Sequence, residues 1–179
     1  MKTDGIATEL CSRIARMARD WSTFTLRITV NYPMRSVYEA WAVPSQLERW
    51  FVRSAEYAAL DGLPRHRDHE AQAGDGYIWR WHGHPNDASE SGLVTEANGL
   101  DSFAFTFSKS SLVTVSIMDE ANTTIVSLTQ TGIPDEDERA IYICDSHGWA
   151  FYLSNLKSVL EGGIDLRNKN VEIKDVINS

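Results

Sequence analysis

Five apolar–polar alternating segments occupy the middle of this 179-residue chain, and only short connections separate most of them. Alternation with a period of two is typical of strands that bury one face, so we predict that each segment is a strand. Because a parallel return requires a crossover of roughly a dozen residues, short connections predict antiparallel pairing of successive strands. The segments are residues 77–82, 93–97, 103–108, 113–117 and 124–130.

An earlier strand is followed by two short helices. Residues 24–31 alternate apolar with polar side chains, and Pro33 ends the pattern. Residues 36–41 have the pattern of a short helix. Pro44 then stands where a first helical turn tolerates proline, ahead of a second helix over 46–51. The first third of the chain is therefore predicted to contain strand, helix and helix, in that order.

One long amphipathic pattern follows the strands. Its apolar residues advance by one, three and four positions, which places them on one face of an α-helix. Asp135 and Glu138 are typical of a helix start, and Gly162 with Gly163 is typical of a stop. We predict a helix from about residue 135 to 161 that packs along the concave face of the sheet. The apolar stripe comprises Ile141, Cys144, Gly148, Trp149, Tyr152, Leu153, Leu156, Val159 and Leu160.

Charge and cysteine content argue against several classes of protein. The formal net charge of -8 disfavours a nucleic-acid surface, which needs a basic stripe. Cys11 and Cys144 are too few for a disulfide framework, and the first residues lack the apolar region of a secretory signal. No apolar run approaches the ~20 residues of a membrane span. We therefore expect a cytoplasmic protein with no nucleic-acid partner and no membrane span.

Two further segments flank the predicted domain, which spans residues 23–163. An N-terminal helical extension is predicted over residues 1–22, and a C-terminal tail over 164–179. Because an isolated helix this short is marginal in water, we expect it to dock on the domain or to pair with a second copy. The apolar stripe of this helix comprises Ile6, Leu10, Ile14, Met17 and Trp21.

Eight short pieces of sequence, taken in order, carry a family resemblance. They are Ser36–Trp41 with Leu47–Phe51, Gly74–Tyr77, Gly92–Glu96, Phe105–Phe107, Ser111–Val115, Thr124–Leu128, Thr131–Asp135 and Gly148–Lys157. On these pieces the chain resembles the bacterial homologues of the activator of the heat-shock chaperone ATPase, within the START-like, helix-grip (SRPBCC) superfamily. The resemblance covers about residues 23–163.

The resemblance implies an α+β helix-grip fold, in which a curved antiparallel sheet wraps around the long C-terminal helix and two short helices cap the cavity between them. It does not imply a reaction, because members include chaperone regulators, small-molecule carriers and cyclases. Two functions follow as expectations. One is binding of a small apolar or amphipathic molecule, for transport, sensing or stress response. The alternative is a protein-interaction role, as a chaperone cofactor or a homodimer.

Histidines and carboxylates are the candidate catalytic or metal-binding groups. His82 and His84 are two residues apart, but the proline after His84 favours a turn, so they are not expected to share a metal. Asp145 and His147 flank the apolar face of the long helix, which keeps a cyclase-like enzyme as a less favoured alternative. Cys144 is interpreted as a small buried hydrophobe. We expect no catalytic residue, no metal and no cofactor.

Aromatic residues predict where a ligand would bind. A glycine in mid-helix costs ~1 kcal/mol relative to alanine, so Gly148 fits either close packing or space left for a ligand. A cavity larger than ~300 Å³ would favour ligand binding, and a solid core with an exposed apolar patch would favour protein interaction. The predicted ligand-binding residues are Trp50, Trp79, Trp81, Phe105, Val115, Val126, Gly148, Trp149 and Tyr152.

Overall fold

The fold is one curved sheet of seven strands with a long helix on its concave face. The computed structural model describes residues 20–134, 138–173 and 176–177. The predicted helix-grip fold is confirmed. Its elements, in chain order, are β1 (Phe24–Val30), α1 (Met34–Ala42), α2 (Pro44–Leu47), β2 (Ser54–Ala58), β3 (Gly76–Arg80), β4 (Ser89–Ala97), β5 (Ser102–Phe107), β6 (Ser111–Glu120), β7 (Thr123–Thr131) and α3 (Glu138–Leu160).

Every strand pair in the sheet is antiparallel, and the strand order is β1-β7-β6-β5-β4-β3-β2. Register brings inward-facing side chains level with one another, as where Val115 pairs with Leu128 on one side and Phe103 on the other. The predicted antiparallel meander is confirmed. Strand β2 was not predicted; it is an edge strand of five residues in which only Ala55 and Tyr57 are buried.

Side chains and loop backbone cover parts of both sheet edges. On β2, the Ala55 N–H donates to the Glu48 carboxylate at 3.1 Å, and the Tyr57 carbonyl accepts the Arg65 N–H at 2.8 Å. On β1, the Lys157 ammonium donates to a strand carbonyl at 2.8 Å. Because exposed edges recruit further strands, these contacts discourage pairing with another chain.

Helix α3 buries most of its predicted stripe and ends as expected. Gly162 has φ of +82°, and the Gly163 N–H donates to the Ser158 carbonyl at 2.7 Å, which closes the last turn. The expected start at Asp135 lies outside the described residues. Cys144 is exposed, so its interpretation as a buried hydrophobe is wrong. Within the described ranges, no helix is both long and apolar enough to cross a membrane.

The predicted N-terminal helix lies outside the described residues up to position 19. Trp21, the last member of its stripe, packs edge-on against Tyr142 of α3, with ring centroids 5.0 Å apart. The Arg139 guanidinium lies 5.5 Å from the Trp21 ring centroid, within cation–π distance. Trp21 therefore docks on the first turns of α3.

The start of the C-terminal tail is fixed to the domain by a buried ion pair. Arg167 is 7% exposed and donates to the carboxylate of Asp165 and to the carbonyls of Arg49 and Val52. Asn155 of α3 is fully buried and donates to Asp165 at 3.1 Å. These contacts tie the tail to α3 and to the turn after α2. We call them the tail clamp.

We expect Arg167→Ala to lower the free energy of unfolding by about 3 kcal/mol, because the carbonyls of Arg49 and Val52 lose a charged, buried donor and Asp165 loses one of its cationic partners. Urea denaturation measures the change. The matched control is Arg27→Ala, which breaks an exposed ion pair with Glu120 and should cost less than about 1 kcal/mol. Equal losses in the two variants would contradict a structural role for the tail clamp.

Candidate functional site

Aromatic rings fill most of the space between the sheet and α3. Phe51, from the turn after α2, stacks on Trp149 of α3 with ring centroids 5.0 Å apart and planes inclined by 21°. Trp79 and Phe105 of the sheet pack edge-on at 5.1 Å. A cavity of about 80 Å³ remains beside these rings. This volume is well below the ~300 Å³ typical of a site that encloses a whole small molecule.

The remaining space is an open cleft between the sheet and the middle of α3. Trp81 and Phe107 are half-buried on its sheet side, whereas Trp149 and Tyr152 are buried on its helix side. We call this space the aromatic cleft. It is lined by Phe51, Trp81, Phe107, Cys144, Asp145, Gly148, Trp149 and Tyr152.

The structure brings four of the nine predicted ligand-binding residues to the aromatic cleft. These are Trp81, Gly148, Trp149 and Tyr152. The other five are at most 1% exposed and belong to the hydrophobic core, and none of them lines the cleft. Their assignment as ligand contacts stays a prediction. The five are Trp50, Trp79, Phe105, Val115 and Val126.

Gly148 leaves open space where α3 crosses the aromatic cleft. A Cβ atom built on this residue would meet no heavy atom within 4 Å. Close backbone packing is therefore not the reason for the glycine. Of the two interpretations that the sequence left open, the structure favours the one in which the glycine leaves room.

A buried polar network fixes α3 to the sheet beside the aromatic cleft. Gln130 of β7 is fully buried, and its amide nitrogen donates to Asp145 at 2.6 Å and to Ser111 at 2.9 Å. The Trp149 indole N–H donates to the Gln130 oxygen at 3.0 Å. Gln130 was not predicted as a site residue, because its position continues the inward face of a strand, where an apolar residue is expected.

A left-handed turn near the same part of the cleft brings two carboxylates close to one residue. Ser108, Lys109 and Ser110 have φ values of 39°, 55° and 69°, which is unfavourable for residues other than glycine. The Ser108 N–H donates to Glu90 at 3.0 Å, and the Ser108 side chain bonds to Asp145. The strained turn therefore holds both carboxylates close to one backbone position.

Burial makes both carboxylates harder to ionise. It raises the pKa of Asp145, although hydrogen bonds from Gln130 and Ser108 oppose the shift. Burial also raises the pKa of Glu90, and the charge of Asp145 adds to this effect. Asp145 and His147 were the acid–base pair suggested by the sequence. Asp145 is half-buried and hydrogen-bonded in the network, whereas His147 is exposed. No group of three or more potential metal ligands occurs in the described part of the chain.

We expect Gly148→Ala to raise the free energy of unfolding by about 0.5–1 kcal/mol, because alanine is the better helix former and its methyl group enters open space. The matched control is Gly92→Ala. Its Cβ would lie 2.6 Å from the Thr106 carbonyl oxygen, so it should destabilise by more than about 1 kcal/mol. Urea denaturation of both variants checks the signs. A destabilised Gly148→Ala would show that the space is filled.

We expect Asp145→Asn to raise the melting temperature at pH 7, because asparagine keeps an acceptor for Gln130 and has no charge to desolvate. A raised pKa in the folded state means that protonating Asp145 stabilises the wild-type protein. That stabilisation is complete below the ordinary value of 3.8 and is lost as the pH rises through the raised pKa. The advantage of the variant should therefore shrink between pH 7 and about pH 4. An Asp145→Asn variant that is less stable than the wild type by the same amount at every pH would contradict this prediction.

Several solved structures share this fold at low sequence identity. The protein SSP2350 from Staphylococcus saprophyticus is 20% identical, with a TM-score of 0.64 over 81% of this chain and 96% of that chain. The Aha1 dimer from Colwellia psychrerythraea is 16% identical, with a TM-score of 0.61 over 79% and 97%. CalU16 from Micromonospora echinospora is 14% identical, with a TM-score of 0.58 over 80% and 77%. Likeness at these identities establishes the fold alone.

Sequence comparison with curated proteins gives no match. A match does come from the family described as Activator of Hsp90 ATPase homolog 1-like protein, and it extends over residues 31–161. This range contains α1, α2, α3 and six of the seven strands, and it confirms the resemblance seen in the sequence. Because the match covers more than half of the chain, the protein belongs to this family.

Proposed function

We propose that the protein binds small amphipathic molecules, with the apolar end of the molecule inserted into the aromatic cleft. The observation that carries this proposal is the pair of half-buried aromatic side chains, Trp81 and Phe107, beside the open space at Gly148. Aromatic groups that remain partly exposed next to an unfilled space gain contact area when an apolar group enters.

The size of the cleft limits what it holds. A dry cavity of about 150 Å³ accommodates benzene, so the 80 Å³ found here, open to solvent, suits part of one ring or a short alkyl group. The rest of the molecule remains outside the cleft. A ligand with one apolar end and one polar end therefore fits better than a large apolar molecule that must be enclosed.

A protein-interaction role is the second candidate. The family description supports a chaperone cofactor, and the Colwellia relative of the same fold is described as a dimer. A cleft this small leaves the core nearly solid, which supports a protein-interaction role. Sedimentation velocity of the full chain distinguishes a homodimer from a monomer.

We expect toluene, a neutral one-ring probe, to bind in the aromatic cleft and to shift the NMR signals of the Trp81 indole and the Gly148 amide. Trp81→Ala should weaken binding by about tenfold, because the probe loses one aromatic wall. Gly148→Leu should abolish binding by occupying the space itself. The titrations are followed in 1H–15N spectra at constant pH.

Leu93→Ala is the matched control, because Leu93 is 52% exposed on the sheet and does not line the cleft. This variant should bind toluene like the wild type. Wild-type spectra that do not respond to toluene would contradict the proposal. So would a Gly148→Leu variant that is folded and still binds the probe.

A further inference from the structure

A second pocket, of about 530 Å³, lies beside the C-terminal end of α3. The turn after α2, the turn after β3 and the first part of the C-terminal tail form its walls. We call it the basic pocket. Its charged and titratable lining residues are Glu48, Arg49, Arg53, His82, Asp165, Arg167 and Lys169.

Positive charge exceeds negative charge around the basic pocket. Four cationic side chains line it, against the two carboxylates of Glu48 and Asp165. Asp165 already contacts both Arg167 and Lys169, and Glu48 contacts Arg67. Both carboxylates are therefore already engaged in ion pairs. The excess is local, because the chain as a whole has a formal net charge of -8.

Two arginines of the basic pocket are held in place by neutral acceptors. Arg49 donates to the Gln46 side-chain oxygen at 2.7 Å. Arg53 donates to Asn86 at 2.8 Å and to the His84 carbonyl at 3.3 Å. Neutral acceptors orient a guanidinium without cancelling its charge, so both arginines keep a net positive charge facing the pocket.

His82 is half-buried in the basic pocket, next to these cations. Burial and the neighbouring charges of Arg167, Lys169 and Arg53 lower the pKa of His82 to about 4, and Asp165 opposes them only in part. The imidazole is therefore neutral at pH 7, and an anion bound beside it offsets the part of the shift that the cations cause.

We propose that the basic pocket binds a phosphate group. Guanidinium groups match the geometry of phosphate oxygens and donate to them in pairs, which makes arginine the preferred residue for this recognition. A site with excess positive charge in an acidic protein also concentrates anions locally. The proposal does not depend on ligand binding in the aromatic cleft, because different side chains carry it.

The two sites adjoin each other. Trp81 lines the aromatic cleft, and the next residue, His82, lines the basic pocket. On α3, Tyr152 lines the cleft and Val159 lines the pocket, and seven helical residues correspond to about 10 Å. The phosphate group is thus either free phosphate or the head group of a molecule whose apolar end occupies the cleft.

The first test uses the wild-type protein and the His82 imidazole as the reporter. Sulfate is the probe, because it mimics phosphate and keeps a constant charge in weak acid. We expect sulfate to raise the His82 pKa from about 4 towards its ordinary value, relative to sodium chloride at matched ionic strength, in an NMR titration. An equal pKa in both salts would overturn the proposal.

The second test compares variants in the binding of inorganic phosphate at pH 7. Arg49→Gln and Lys169→Gln each remove one exposed cation from the pocket and should weaken binding by about fivefold. Arg27→Gln is the matched control, because Arg27 is an exposed arginine on β1 outside the pocket, and it should leave binding unchanged. Equal weakening in all three variants would show a nonspecific charge effect and would overturn the proposal.

Phenyl phosphate distinguishes the two sources of the phosphate group. If it binds as tightly as inorganic phosphate and leaves the Trp81 signal unchanged, the pocket binds free phosphate. If it binds more tightly and also shifts the Trp81 signal, the pocket binds the head group of an amphipathic ligand. Failure of toluene to bind in the cleft would leave both phosphate titrations valid.

Discussion

The position of the Phe51 ring determines how much space remains between the sheet and α3. The ring stacks on Trp149 and reaches the centre of the concave face from the turn after α2. The two short helices therefore do more than cap the fold, because they deliver the ring that fills it. The space left between the sheet and α3 is a cleft of about 80 Å³. Phe51 also contacts Trp41, Trp50, Trp79, Trp81 and Tyr152.

Polar contacts at two places along α3 hold the helix over this aromatic centre. In its first half and at its midpoint, Gln130 links Asp145 and Trp149 to the sheet. Near its end, Asn155 and Arg167 join α3 to the turn that carries Phe51. Apolar packing alone allows a helix to slide along a smooth face, whereas buried hydrogen bonds are lost when partners move. Asp145 and Trp149 also line the aromatic cleft, so the first network fixes its helix side directly.

Local pattern predicted most of the fold but little of the polar chemistry. Strand alternation and the helical stripe are periodic over many residues, so β3 to β7 and α3 were found. The edge strand β2 was missed because five residues with two buried side chains give a weak pattern. Gln130 and Arg167 were missed for a different reason. Strand alternation places Gln130 on the inward face, but its partner Trp149 is distant in sequence, so the pattern does not show what this amide binds. The carbonyls of Val52 and Arg49 that Arg167 binds are also distant, so its neighbours do not show that it is buried.

The tail clamp links the segment that matches the family to the chemistry of the basic pocket. The family match ends at residue 161, and Asp165, Arg167 and Lys169 lie beyond it. Arg167 is nevertheless buried in the domain, because it donates to backbone carbonyls of the turn after α2. Folding the tail back in this way places its charges beside Arg49 and Arg53. The pocket is thus assembled from the matched segment and from the tail together, and the family pattern alone does not predict it.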